Sequence, residues 1–144
     1  MIQKEMMKTY NIEFQGYWRD ANKDGIPSES GVYLVYRSRY NNETNTIGLI
    51  EIIYIGQSND VHDRIVNHDQ RKSFEETLKA GEELAFAIAP ILEEELDIVE
   101  QSLIFAQKPE LNDLYKDNYQ QEDAAFKIGG NCIGLKYTDY TITK

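Results

Sequence analysis

Runs of apolar residues predict three β-strands in the first half of the chain. Residues 9–18 (TYNIEFQGYW) alternate loosely and are rich in β-forming residues, and a turn-rich segment that contains Asp24-Gly25 and Pro27 follows them. Residues 31–37 (GVYLVYR) and 47–56 (IGLIEIIYIG) are stronger runs. The polar sequence NNETNT between these two runs predicts the tip of a long hairpin. The pattern therefore indicates an antiparallel β unit.

Helical spacing begins after this unit. Ser58, Asn59 and Asp60 offer N-cap side chains for a short helix that contains Val61 and Ile65.

A second short helix is predicted further on, where Ser73 and Glu76 have the spacing of a capping box and Gly81 is the expected stop. Residues 84–91 (LAFAIAPI) predict another strand, broken near its end by Pro90.

The clearest helix is predicted over residues 92–107, before Pro109, with an apolar stripe formed by Leu92, Leu96, Val99 and Leu103. Two β-prone pieces around Ile133 and Tyr140 predict a terminal hairpin. The order of elements predicts a single α+β domain over residues 1–144, with a small, central, mainly antiparallel sheet flanked by helices.

Composition narrows the class of protein. Apolar residues make up 41% and charged residues 28% of 144, which is ordinary for one soluble globular domain. The single Cys132 excludes an intramolecular disulfide and a cysteine-based zinc site. No apolar run approaches the roughly 18 residues of a membrane span, and the first residues lack the apolar stretch of a signal peptide. We therefore expect a cytoplasmic protein with no membrane partner.

The charge balance limits what the chain can bind. Its formal net charge is −10, whereas non-specific DNA binding draws its affinity mainly from cations that neutralise phosphates. The charges are unevenly distributed: residues 75–100 contain nine acidic residues and one base, while five bases fall within residues 37–72, namely Arg37, Arg39, Arg64, Arg71 and Lys72. This distribution allows a locally basic face on an acidic body.

Two tripeptides suggest a family. Gly31-Val32-Tyr33 and Tyr54-Ile55-Gly56 resemble the signature tripeptides of the GIY-YIG nucleases, with valine at the centre of the first. Residues 54–68 (YIGQSNDVHDRIVNH) are similar to the family's second strand and following helix, with Arg64 eight residues after the second glycine and His68 one helical turn later.

The resemblance continues into the long helix. Glu100, followed by Pro109 and Asn112, is similar to the family's glutamate helix and the Pro-x-x-Asn turn that ends it. The likeness covers about residues 27–112, which leaves an N-terminal strand extension (1–26) and a C-terminal extension (113–144). It implies a GIY-YIG-like fold and a metal-dependent endonuclease that hydrolyses DNA phosphodiester bonds.

The residue types suit that chemistry. Glu100 is a hard oxygen ligand for one Mg²⁺ or Mn²⁺ ion, which tolerates a single carboxylate when water and phosphate fill its other positions. Arg64 offers a planar fork of donors for the non-bridging phosphate oxygens. Either Tyr33 or Tyr54 could orient or deprotonate the attacking water, and His68 could accept or relay a proton.

Other residues are expected to support this site. Gln57 occupies a position where many active relatives carry a lysine, and it can donate a hydrogen bond without adding charge. Asn112 is expected to pin the glutamate helix to the sheet. It is also grouped with Gln57, Arg71 and Lys72 as a candidate substrate-binding residue. Gly31 and Gly56 are expected to permit close packing of the strands.

Several alternatives remain open at this point. The tyrosines, Arg64, His68 and Glu100 could be ordinary sheet and helix-surface residues. The domain could be catalytically silent and bind nucleic acid or a protein, or it could be an enzyme whose acidic surface serves assembly or self-restraint. Residues 20–25 (DANKDG) match the start of a calcium-binding EF-hand loop, but position twelve is Gly31 and not a glutamate, so a plain turn is predicted.

Overall fold

The computed structural model describes residues 7–144, which form an α+β fold around a mixed six-stranded sheet. The strands are β1 (Lys8–Arg19), β2 (Gly31–Asn41), β3 (Thr46–Ser58), β4 (Glu83–Pro90), β5 (Ala124–Gly130) and β6 (Asp139–Ile142). The helices are α1 (Val61–Val66), α2 (Arg71–Glu76) and α3 (Leu96–Gln107), with 3-10 turns at Asp20–Gly25 and Glu93–Glu95. The predicted α+β class is confirmed.

The sheet has the strand order β3-β2-β4-β1-β5-β6. Four of its five ladders are antiparallel, and the ladder between β1 and β5 is parallel, which makes the sheet mixed. β1 divides its pairing along its length, because residues 8–14 pair with β5 and residues 15–19 pair with β4. The first strand therefore joins the central strands to the two C-terminal strands.

Alternate residues of β2 pack on opposite faces of the sheet, as the period of a strand requires. Val32 and Leu34 belong to a core cluster that includes Leu103 of α3. Tyr33 and Val35 belong to a second cluster, which α1 and α2 supply with Val61, Ile65 and Phe74. The sheet is thus covered by α3 on one face and by the two short helices on the other.

Two predictions of where a helix begins were wrong. Ser73 lies inside α2 and is not its cap, because the helix begins at Arg71 and its N-cap position is Gln70. Leu92 is 62% exposed and does not belong to the apolar stripe, since the long helix begins only at Leu96.

The terminal hairpin also differs from the prediction. It is formed by β5 and β6, and Ile133 lies outside both strands. The calcium-like segment is a 3-10 turn, Asp20–Gly25.

Candidate active site

The β2–β3 hairpin brings the two tripeptides together. Tyr33 pairs with Gly56 in the antiparallel register, and the tyrosine ring lies across the glycine. A Cβ atom added at Gly56 would be 2.3 Å from Tyr33 Oη and 2.4 Å from Cζ. One added at Gly31 would be 2.4 Å from the carbonyl oxygen of Ala89 in β4. Both glycines therefore permit a close approach that a side chain would block.

Tyr33 and His68 form a buried pair. The Tyr33 hydroxyl and His68 Nε2 are 2.7 Å apart, and neither side chain is appreciably exposed. Burial raises the pKa of Tyr33 well above its usual value, an effect to which the nearby Tyr54 adds and which Arg64 opposes. Burial and the neighbouring Arg64 lower the pKa of His68 to about 4. At neutral pH both groups are uncharged.

Tyr54 takes the more open position of the two tyrosines. Its ring packs 5.1 Å from that of Phe74 and 5.6 Å from that of His68, measured between centroids. One edge lines a groove of about 320 Å³ that it shares with Gln70 and Glu100. Burial raises the pKa of Tyr54, and the charge of Glu100 acts in the same direction. Tyr54 is the tyrosine that borders open space next to the carboxylate.

Arg64 supplies the positive charge at this site. It comes from the last turn of α1, whose start is capped by the Asp60 carboxylate, and it lies beside Tyr33 and Tyr54. Its Nη2 atom is 3.1 Å from Asp69 Oδ1, in a pair whose aspartate is 70% exposed. Because an exposed pair of this kind contributes little free energy, the guanidinium could exchange Asp69 for a phosphate.

Glu100 projects from the middle of α3 at the border of the buried face. Burial raises the pKa of its carboxyl group, and the neighbouring Asp97 adds to the effect, while Gln57 and Arg64 oppose it. Gln57 Nε2 donates to Glu100 Oε1 at 3.2 Å and to Asp97 Oδ1 at 2.6 Å. The Gln57 amide therefore holds two carboxylates of one helix together.

Sequence reasoning missed Asp97. Its signal was available, because Asp97 precedes Glu100 by three residues and side chains with that spacing share a helix face. Glu94 and Glu95 lie on the preceding 3-10 turn, six and five residues before Glu100, whereas Asp97 lies on α3 and accepts a hydrogen bond from Gln57 of β3. The two carboxylates held by Gln57 are oxygen donors of the type that Mg²⁺ and Mn²⁺ prefer. Within residues 7–144 there is no cluster of three or more His, Cys, Asp or Glu side chains suited to a metal.

Asn112 is fully engaged in holding the structure together. Its Oδ1 accepts from the backbone N–H of Ile55, and its Nδ2 donates to the carbonyl of the same residue, both at 2.9 Å. The side chain is buried, and the pair of bonds joins the turn after α3 to β3. This geometry favours the pinning role over substrate contact.

The arginines of residues 37–72 have carboxylate partners. Arg71 makes a two-pronged contact with Asp20, with nitrogen–oxygen distances of 2.8 and 2.6 Å, and it also contacts Glu75. Lys72 is exposed, and within the described chain it has no ion pair.

Arg37 and Arg39 share the buried carboxylate of Glu82, and Arg37 also reaches Glu51. Since Arg64 is paired with Asp69, the four arginines do not form an uncompensated basic face.

The structure therefore brings together predicted residues from β2, β3, α1 and α3 and from the segments that follow α1 and α3. Tyr54, Glu100 and Asn112 line the groove. Tyr33, His68 and Arg64 lie beside Tyr54, and Gln57 contacts Glu100. Arg71 is turned toward Asp20.

A second groove, with a larger volume of about 580 Å³, lies between β1, β5 and Lys144, and none of the predicted residues lines it.

Comparison with known proteins returned no match to a family model, to a curated protein or to a solved structure. In residues 7–144 no helix is both long enough and apolar enough to cross a membrane.

Proposed function

We propose that the chain is a metal-dependent endonuclease of the GIY-YIG type that hydrolyses phosphodiester bonds in DNA. The observation that carries the proposal is the convergence of two tyrosines, an arginine and a glutamate from β2, β3, α1 and α3. Tyr54 and Glu100 line one groove, and Tyr33 and Arg64 lie beside Tyr54. A cationic side chain can stabilise the charge on the phosphoryl oxygens, a carboxylate can hold a metal ion, and hydroxyl groups can orient the attacking water. The position of each suggests its role.

Glu100 is the proposed ligand of one Mg²⁺ or Mn²⁺ ion, and Asp97, which accepts from the same Gln57 amide, would contribute through a bound water. When bound, the ion would polarise a phosphoryl oxygen and activate water. The Gln57 amide donates to Oε1 of Glu100 and so orients the carboxylate, which leaves Oε2 of Glu100 for the ion. Arg64 would bind the non-bridging phosphate oxygens after release from Asp69.

The two tyrosines have different access to the groove. Tyr33 is fully buried, whereas Tyr54 lines the groove together with Glu100. Both pKa values are raised, so both hydroxyls keep their protons at neutral pH and orient water by hydrogen bonding. We therefore assign contact with the attacking water to Tyr54, and support of the site from within the sheet to Tyr33.

DNA contact is expected to be local and weak. The net charge is −10, and the arginines nearest the groove are already paired with carboxylates. Binding should consequently rest on a few phosphates and on the metal, with a shallow dependence on salt concentration.

Cleavage of supercoiled plasmid, branched DNA and single-stranded DNA in Mg²⁺ or Mn²⁺ tests this function. Glu100→Gln should abolish metal-dependent cutting, while Glu94→Gln, an exposed glutamate on the preceding 3-10 turn, should cut like the wild type. Arg64→Gln should also lose cutting, because the phosphate charge is no longer stabilised. Cutting that survives Glu100→Gln would refute the assigned metal ligand.

A catalytically silent binding module is the second candidate. It is favoured by Gln57, which gives Glu100 an uncharged hydrogen-bond partner, and by the carboxylate partners of the arginines. It predicts no cleavage of any substrate with either metal. Binding to DNA at low salt would then indicate a nucleic-acid partner, and absence of binding would indicate a protein partner.

A further inference from the structure

His68 has defined hydrogen-bond partners at both ring nitrogens. The backbone N–H of Gln70 donates to Nδ1 at 3.0 Å, and the Tyr33 hydroxyl lies 2.7 Å from Nε2. The ring is packed between Tyr54 and Phe74, with centroid distances of 5.6 and 4.7 Å. These contacts restrict its rotation.

The Gln70 contact determines where the imidazole proton lies. A backbone N–H can only donate, so the nitrogen that it meets must carry a free lone pair. Nδ1 is therefore unprotonated, and in the neutral ring the single proton lies on Nε2. Nε2–H then donates to Tyr33 Oη, and the tyrosine's own proton points away from the histidine.

Asp69 offers the competing arrangement. Its Oδ1 atom is 3.4 Å from His68 Nδ1, and a proton on that nitrogen would create an aspartate–histidine–tyrosine relay in which His68 accepts the proton of Tyr33. The Asp69 carboxylate is 70% exposed and is already paired with Arg64 at 3.1 Å. The Gln70 N–H is closer and is fixed by the backbone, so it prevails at Nδ1.

We infer that His68 is locked as the Nε2–H tautomer by the backbone of Gln70, and that it acts as a positioning residue which holds the Tyr33 hydroxyl as an acceptor. This assignment departs from the proton-accepting or relaying role expected from the sequence. Its consequence for catalysis rests on the proposed nuclease function: His68 fixes Tyr33 beside Arg64 and does not remove a proton during the reaction.

The tautomer is measurable on the full, metal-free chain. Long-range ¹⁵N–¹H NMR spectra at mildly alkaline pH distinguish protonated from unprotonated ring nitrogens. The chain has only two histidines, and His62 is an internal contrast because its Nδ1 lies 2.6 Å from the carbonyl oxygen of Ile26. A carbonyl can only accept, so His62 should carry its proton on Nδ1.

We therefore expect the Nε2–H form at His68 and the Nδ1–H form at His62. The Nε2–H signals should be missing from the spectrum of His68→Gln. Two rings with Nδ1–H, or a His68 signal averaged between both forms, would overturn the inference in favour of the relay through Asp69. Asp69→Asn should leave the His68 tautomer unchanged. A change in that variant would also overturn the inference. None of these outcomes depends on whether the protein cuts DNA.

Cleavage kinetics extend the test. Loss of a general base costs on the order of 10² to 10⁴ in rate and removes one limb of the pH profile. For a positioning residue, His68→Gln, which retains an N–H donor, should cut faster than His68→Leu, and both should keep the wild-type pH profile. A pH limb that disappears in both variants would show that His68 transfers a proton.

Discussion

Replacing Gly56 by alanine tests the contact on which the site is built. The new Cβ would lie 2.3 Å from Tyr33 Oη, 2.4 Å from Cζ and 2.9 Å from Cε1. Ordinary van der Waals contact needs about 1 Å more. The tyrosine is fully buried and its hydroxyl is 2.7 Å from His68, so the ring has little room to retreat.

The expected cost follows from overpacking a rigid core. Forcing a buried ring aside costs about 1 to 3 kcal/mol, and the alanine regains about 0.5 to 1 kcal/mol because glycine is more flexible in the unfolded chain. We therefore expect the free energy of unfolding to fall by about 0.5 to 2 kcal/mol, measured by urea denaturation. Gly48→Ala on the same strand is the matched control, because its Cβ would meet its nearest atom, the Arg39 carbonyl oxygen, at 3.7 Å.

A double-mutant cycle locates the clash. Tyr33→Leu removes the distal ring atoms and should rescue part of the Gly56→Ala loss, with a coupling of about 0.5 to 3 kcal/mol. Tyr33→Phe removes only the hydroxyl and leaves Cζ in place, so it should rescue much less. Wild-type stability in Gly56→Ala, or an equal loss in Gly48→Ala, would refute the reasoning.

Two further predictions concern stability. Asn112→Ala leaves the buried backbone N–H and C=O of Ile55 without their partner and should lower the free energy of unfolding by about 2 to 4 kcal/mol, while the exposed Asn67→Ala should change it by less than about 0.5 kcal/mol in urea titrations. A loss for Asn112→Ala as small as that of Asn67→Ala would contradict the pinning role. The second prediction is a pH dependence: because the pKa of His68 falls from 6.5 to about 4 on folding, the unfolded chain binds its proton first, and the stability from the neutral ring is complete above pH 6.5 and is lost as the pH falls toward 4. Each pH unit corresponds to roughly 1.4 kcal/mol. Between pH 6.5 and 4 the free energy of unfolding should therefore fall further in the wild type than in His68→Gln, by at most about 3 kcal/mol. In Asn112→Ala the free energy of unfolding should change with pH as steeply as in the wild type. If His68→Gln also keeps the wild-type slope, the buried neutral histidine is excluded.

The local sequence predicted the central strands well. β2 and β3 contain runs of β-branched and aromatic residues. Most of β2 is buried, and β3 is buried around Ile53 and Ile55, so pattern and packing give the same result there. β5 was missed. Its sequence AAFKIGG is short and carries little strand signal, and it becomes a strand because β1 offers a parallel partner more than a hundred residues earlier.

Charge was the least predictable property from sequence. The cluster of bases in residues 37–72 allowed a locally basic face, yet Arg71 is compensated by Asp20 and Arg37 by Glu82. These partners lie far apart along the chain, and no local pattern identifies them. The site residues themselves could be chosen because their spacing resembles a family, whereas Asp97 and the hydrogen bonds of Gln57 depend on how α3 is placed beside β3.

The divided pairing of β1 has a consequence for the order of folding. The β2–β3 hairpin needs only local loop closure, while Lys8 must find Ala124 and Gln15 must find Ile88. Closing such long loops is slow because the entropy is lost before the contacts form. We expect the hairpin, with Tyr33 and Gly56 in register, to form early, and the β1 ladders to form in the last and rate-limiting phase. On denaturation β1 should then separate first. The β2–β3 hairpin, with Tyr33 paired to Gly56, should stay formed after β1, β5 and β6 have separated.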